Sequence, residues 1–218
     1  MIKYNSNASI INNMTLPLRL KRLRKNQTIR NVLQETRLNS HEFIAPLFIH
    51  ETLSEKRAIK TMPGHYQLPL HALAAEIEEI SQLGLPGVLL FGIPQHKNAT
   101  GSDSLNPNGI IQQAIRLIKE INPDLLVITD VCLCEYTSHG HCGILNDQQQ
   151  RIDNDKTLQI LSQQAVSHAQ AGADWVAPSA MTDGMVQAIR SALDQAGYID
   201  TAILSYAVKY SSCMYGPF

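Results

Sequence analysis

The sequence predicts an α/β fold built on a parallel sheet. Two observations carry this. After residue 40, short apolar runs of strand length recur at 44–49, 87–93, 125–133, 174–179 and 202–208, and runs of this kind suit strands buried on both faces. Between them lie segments with apolar residues at helical spacing, and strand–helix alternation with short loops is the signature of a parallel sheet covered by helices.

Each helix has legible ends. The segment 70–83 has apolar positions at helical spacing and stops at Gly84, a residue suited to a left-handed C-terminal turn. The segment 110–121 follows a turn signal, Asn-Pro-Asn-Gly at 106–109. Asp155 is read as the N-cap of a helix running to Ala171 and Gly172, and Asp183 as the N-cap of a helix over 184–195 that ends near Gly197. Gly101-Ser-Asp-Ser104 reads as a turn or cap with no phosphate-loop pattern.

Such a sheet closes as a (β/α)8 barrel or stays open and doubly wound. No Gly-x-Gly-x-x-Gly follows the first strand, and polar residues stand at strand C-termini (Asp130, Ser179, Lys209), where a barrel keeps its chemistry. Both points favour the barrel. A barrel needs eight strands, and five are found here, so the expectation is that the chain covers about the first five βα units of a longer protein.

Residues 1–40 differ from the rest. The run Leu-Arg-Leu-Lys-Arg-Leu-Arg-Lys at 18–25 is basic and lies among Asn and Ser. It reads as a solvated terminus or as an arm that packs on a neighbouring subunit; the absence of interleaved aromatics argues against nucleic acid. Residues 41–218 are read as the catalytic domain. A net charge of −1 gives no global attraction to nucleic acid or membrane. No apolar run reaches the roughly 18 residues of a membrane helix, and residues 1–14 carry no apolar signal core, which places the protein in the cytoplasm.

Three of the four cysteines, Cys132, Cys134 and Cys142, fall within eleven residues. On a strand, residues two apart share a face, so Cys132 and Cys134 are expected to project together with Asp130, and the polar loop 135–141 can return Cys142 to them. Converging thiolates suit zinc. His139 or His141 can serve as a fourth ligand; if neither does, the metal keeps an open position, the catalytic arrangement. Buried free thiols or a redox pair are the plainer alternative. Cys213 reads as an ordinary buried thiol.

Lys209 ends the run Ile-Leu-Ser-Tyr-Ala-Val-Lys. Alternation puts Ser205, Ala207 and Lys209 on one face, small and polar enough for a barrel lumen, and Leu204, Tyr206 and Val208 on the helix side. Desolvation there would lower the amine's pKa and fit it for Schiff-base formation. A lysine snorkelling to water past a strand end explains the same position. Asp130 can hold or accept a proton near the amine and Ser179 can bond a substrate oxygen, although loop and cap hydrogen bonds explain both equally.

Taken together, these stretches resemble the porphobilinogen synthase (5-aminolevulinate dehydratase) family. The resemblance runs through Arg-Leu-Arg-Lys at 22–25, Met-Pro-Gly at 62–64, Phe-Gly-Ile at 91–93, Gly-Ser-Asp at 101–103, Asp-Asn-Asp at 153–155, Ala-Pro-Ser at 177–179 and residues 205–218. Its most specific part is Asp-Val-Cys-Leu-Cys-Glu-Tyr-Thr-Ser-His-Gly-His-Cys-Gly at 130–143. The resemblance implies a (β/α)8 barrel with an arm that wraps a neighbour, commonly in a homo-octamer. It implies condensation of two 5-aminolevulinate molecules to porphobilinogen. It also implies zinc on Cys132, Cys134 and Cys142, a Schiff base on Lys209, and a substrate site lined by Asp130 and Ser179, with a further magnesium possible. The family's other Schiff-base lysine, in a Met-Val-Lys-Pro context, has no match in this sequence, nor has the arginine that follows Tyr-Gly-Pro-Phe. The expectation is therefore an incomplete and inactive part of the enzyme. Two other readings stay open: a class I aldolase-type barrel, which leaves the cysteines without a task, and a non-catalytic zinc- or thiol-binding fragment.

Overall fold

The computed structural model describes residues 18–146, 148 and 151–209. Residues 1–17 of the arm, Cys213 and the segment 215–218 lie outside the described residues. Contacts divide the chain into two units, Met1–Asn39 and Ser40–Phe218. In the first, a 3-10 turn at Leu20–Arg24 is followed by α1, Gln27–Val32, whose N-cap Asn26 accepts from the Ile29 N–H at 2.9 Å. Neither element buries a side chain.

The second unit carries one sheet. Its strands are β1 (Ile44–His50), β2 (Arg57–Ala58), β3 (Tyr66–Pro69), β4 (Gly87–Ile93), β5 (Leu126–Val131), β6 (Trp175–Pro178) and β7 (Ala202–Ile203). The helices are α2 (Leu73–Gln82), α3 (Ile110–Ile121), α4 (Asn154–Ala171) and α5 (Met185–Gln195). The spatial order is β2-β3-β1-β4-β5-β6-β7, and β1, β4, β5, β6 and β7 are parallel to their neighbours. Strands β4, β5, β6 and β7 each join on the same side, and the short pair β2 and β3 lies on the other flank of β1. A doubly wound sheet reverses its order at a switch point between its main strands; β1, β4, β5, β6 and β7 follow one another in a single direction. Right-handed crossovers that never reverse put every helix on one face, and α2, α3, α4 and α5 do pack in succession. This is five consecutive units of a (β/α) barrel, as the strand pattern predicts.

Register assigns the faces. Val88, Leu90 and Val127 join the core built with α2 and α3, and Val131 and Val176 join that built with α4 and α5. The opposite face carries Phe48 stacked on Phe91 at 5.1 Å, then Ile128 and Asp130. Asp130 thus points into the concave side, at the C-terminal end of a central strand.

Several ends differ from expectation. The N-cap of α4 is Asp153, not Asp155: its side chain accepts from the Lys156 N–H at 3.1 Å. Helix α5 starts after Gly184, left-handed at φ 77°, with no side-chain cap. Asp183 instead binds Asn154 through its backbone N–H at 2.8 Å. The strands β2 and β3 escape sequence reading because they are short and lack alternation. The largest difference is β7, two residues long where the pattern over 202–208 predicts seven. Its registered pairs with β6 are at Trp175 and Val176; beyond it the Leu204 N–H still donates to the Val176 carbonyl at 2.9 Å and the Tyr206 N–H to the Pro178 carbonyl at 3.2 Å, while residues 204–209 are exposed.

Candidate metal and amine site

The site lies beyond the C-terminal ends of β5, β6 and β7. Strand β5 stops at Val131, so strand alternation is not what brings Cys132 and Cys134 together. The chain turns at once, with the Tyr136 and Thr137 N–H groups both donating to the Leu133 carbonyl at 2.9 Å. The turn sets Cys132 and Cys134 with their Sγ atoms 3.4 Å apart, and the loop returns Cys142 so that all three sulfurs lie within 4.8 Å of one another. A tetrahedral zinc with Zn–S near 2.3 Å needs sulfurs about 3.8 Å apart, and the observed spacings bracket that value. The donor set therefore fits a thiophilic metal ion.

The loop is held from the β4 side. The Asn98 N–H donates to the Tyr136 carbonyl at 3.3 Å, and the Ser138 N–H to the Asn98 carbonyl at 3.0 Å. Asn98 is itself fixed by a turn in which its Oδ1 accepts from the Thr100 and Ser102 N–H groups. His139 is taken up by the same clasp. Its Nε2 faces the Ala99 carbonyl at 3.2 Å and its Nδ1 accepts from the His141 N–H at 3.2 Å. Among the described residues, the group able to hold a metal consists of the three cysteines, with neither histidine in it.

The cluster's electrostatics follow from its closeness. Hydrogen bonds from Cys132 and then Cys134 hold the Cys142 thiol far below its usual range, helped by Lys209 and His141. Cys132 moves up, because its bonds to Cys134 and Cys142 and its burial all favour the thiol. For Cys134 the bond to Cys132 lowers the pKa, but the bond to Cys142 and burial raise it more, to about 12. The cluster's negative charge centres on Cys142, which suits it to a cation.

Lys209 reaches this cluster. Its Nζ donates to the Ser179 carbonyl at 3.1 Å and lies 3.9 Å from Cys142 Sγ. The expected lumen alternation does not bring it there. Ile203 stands in register with Val176 and so faces the helices; a continued strand would turn Lys209 the same way. Lys209 arrives because the chain, still bonded to β6 through the Tyr206 N–H, bends at Ala207. Its pKa is also opposite to expectation: burial pulls it down, but the negative charge of Cys132, Cys142, Cys134 and Asp130 outweighs this and raises it.

Asp130 is buried, and desolvation lifts its carboxyl to about 7, against the lowering effects of the Ser179 hydroxyl and Lys209. Its Oδ1 has no partner among the described residues. Ser179, one residue past β6, donates its N–H to the Val131 carbonyl at 3.2 Å. All six sequence-predicted residues thus converge. Sequence reading missed Glu135, fully buried, with its pKa pushed well up by desolvation and with Oε1 unpartnered among the described residues. Nothing in a polar loop distinguishes it from a solvated glutamate.

A three-cysteine cluster able to hold a metal ion and a lysine amine stand together at the C-terminal ends of a parallel βα sheet of the barrel class. Comparison with known proteins narrows this. The family described as Delta-aminolevulinic acid dehydratase matches residues 17–218, and the chain belongs to that family. It is 50% identical over 200 residues to the Delta-aminolevulinic acid dehydratase of Halalkalibacterium halodurans, covering 92% of this chain and 60% of that protein. To the one from Ruminiclostridium josui it is also 50% identical over 200 residues, covering 92% of this chain and 97% of that protein. The crystal structure of delta-aminolevulinic acid dehydratase (porphobilinogen synthase) from Toxoplasma gondii ME49, in complex with the reaction product porphobilinogen, superposes with a TM-score of 0.88 at 40% identity, covering 93% of this chain and 58% of that one. The chain therefore spans about three-fifths of several of the relatives it matches.

Proposed function

We propose that the protein contributes the metal site and one substrate-anchoring lysine to an enzyme that condenses two 5-aminolevulinate molecules to porphobilinogen, with loss of two waters, in tetrapyrrole biosynthesis. The observation that carries this reading is the placement of the Lys209 amine 3.9 Å from Cys142 Sγ. An amine and a three-thiolate site at one set of strand ends suit a keto substrate held as a Schiff base beside a Lewis acid. The choice of substrate follows from family membership and from the product held by the Toxoplasma gondii relative.

In this reading Cys132, Cys134 and Cys142 hold zinc, for which sulfur donors are suited, and three protein ligands leave a position open. When bound, the metal supplies Lewis acidity and offsets the thiolate charge. The Lys209 amine, once deprotonated, attacks the substrate's keto carbon, and water leaves as the C=N bond forms. Asp130, buried beside Ser179, is placed to take and return the proton. The Ser179 hydroxyl is placed to bond a substrate oxygen. Tethering makes the following bond-forming step effectively intramolecular.

The arm belongs to the same proposal as an oligomer contact in a homo-octamer. Its support is that Leu20, Leu23 and Leu33 are exposed and that the described arm elements bury no side chain. A further magnesium, and a cytoplasmic location suited to reduced thiols, complete it. Among the described residues no helix is long and apolar enough to cross a membrane.

Incubating the zinc-loaded chain with 5-aminolevulinate and borohydride, followed by peptide mapping, is expected to place a reduced adduct on Lys209. A protein that binds zinc and 5-aminolevulinate yet leaves Lys209 unmodified overturns the assignment.

A further inference from the structure

Helix α4 packs behind β5, whose end leads into the cysteine loop, and three polar residues on its inner face are fully buried: Thr157, Gln164 and His168. They lie on the same helical stripe as Leu161, Ala165 and Ala169. Polar side chains on such a stripe are kept only if hydrogen-bonded, and each of these is bonded toward the cysteine segment. Gln164 Nε2 donates to the Cys132 carbonyl at 3.3 Å. That carbonyl lies one residue beyond β5, whose last registered pair with β6 is Val131 with Pro178. Gln164 thus supplies a bond where the ladder has ended. Two turns earlier, Thr157 Oγ1 accepts from the Ile144 N–H at 2.9 Å and donates to the Asp153 carbonyl at 2.6 Å. Ile144 is two residues past Cys142, and its carbonyl accepts from the Asp153 N–H at 2.7 Å. Between them Gly143 packs so closely that a Cβ would lie 2.6 Å from Thr157 Oγ1. His168 continues the stripe, with Nδ1 2.9 Å from Thr129 Oγ1.

We propose that α4 is a preorganising brace for the thiolate metal site, in which Gln164 fixes the carbonyl of Cys132 and Thr157 fixes the Gly143–Ile144 peptide just past Cys142. Both are positioning residues and touch neither metal nor substrate. Holding the two ends of the loop sets the three sulfurs before a metal arrives, so that binding does not have to order the backbone. The inference rests on the reading of the cysteines as metal ligands.

The test uses the whole 218-residue chain and two probes. Zinc affinity is measured by competition with a chromogenic chelator, and cobalt(II) reports thiolate coordination through its charge-transfer band. Gln164→Leu and Thr157→Val are expected to weaken zinc binding by about 10- to 100-fold and to change the cobalt band. Thr157→Ser, which keeps the hydroxyl, is expected to restore both. Ala165→Gly weakens α4 without removing either contact and is expected to leave the cobalt band unchanged. Wild-type affinity and an unaltered band in Gln164→Leu and Thr157→Val overturn the brace. So does an equal loss in Ala165→Gly, which would assign the effect to general weakening of the helix. If Gln164→Leu fails to fold, Thr157→Val against Thr157→Ser decides alone. Absence of a thiolate–cobalt band in the wild type instead overturns the metal reading, and the brace with it.

Discussion

The two halves of the candidate site are built differently. The cysteine half grows from β5, which has β4 and β6 on its flanks and α4 behind it, and Cys132 and Leu133 are fully buried. The lysine half grows from β7, two residues long, and from Leu204 onward the chain is exposed. The first half is fixed by layers that cover it. The second is held by bonds from the Leu204 and Tyr206 N–H groups to β6 and by Lys209, which touches Ser179, just past β6, and Cys142 of the first half. The lysine's position is therefore derived from the cysteine side.

Stability should follow this division. Leu161→Ala removes a fully buried side chain on α4 beside Cys132 and is expected to cost about 2–5 kcal/mol in urea unfolding. Val208→Ala, at a side chain 61% exposed, is expected to change stability by no more than about 0.5 kcal/mol. Similar losses at the two positions would break the comparison.

Gly143→Ala tests how tightly the loop is seated. The added methyl would lie 2.6 Å from both Ile152 Cγ2 and Thr157 Oγ1, an overpacking expected to cost about 1–3 kcal/mol and to lower zinc occupancy measured by metal analysis. Unchanged occupancy would mean that the loop adapts freely.

His168 gives the cysteine half an acid sensitivity. Desolvation in its buried site holds the imidazole at about 3, below its unfolded value near 6.5. The unfolded chain therefore takes up the proton first. The contribution is complete above pH about 6.5, and is lost by up to about 1.4 kcal/mol per pH unit as pH falls toward 3. Urea midpoints compared at pH 7 and 5 are expected to shift less in His168→Gln than in the wild type. An equal shift in both would place the acid sensitivity elsewhere.

The smallest effect on stability belongs to Lys209→Met. With the lysine at an exposed end, its loss is expected to leave unfolding within about 0.5 kcal/mol of the wild type while abolishing borohydride trapping. A large destabilisation would show that the lysine half supports the fold after all.

The sequence by itself determined the class of fold, because βα alternation is written in local periodicity and the interior strands are bounded by turn residues. Strand β4 and helix α3 fall where the pattern puts them, since β4 is flanked on both sides and α3 starts after Asn106 and ends at Asn122. The six site residues were also legible, the cysteines by their spacing and the others by standing near strand ends. Gln164 and His168 left a signal too, as polar residues on the apolar stripe of Leu161, Ala165 and Ala169. Only the tertiary structure decided how the site is assembled. Cys132 and Cys134 meet through a turn held by Asn98 and Gln164, and Lys209 arrives because the chain bends at Ala207. Its pKa is raised by three cysteines, two of them more than seventy residues away in sequence. Local pattern reports which face a regular element presents. It carries no information about where a strand bends away, because that depends on contacts between residues distant in sequence, such as those of Lys209 with Ser179 and Cys142.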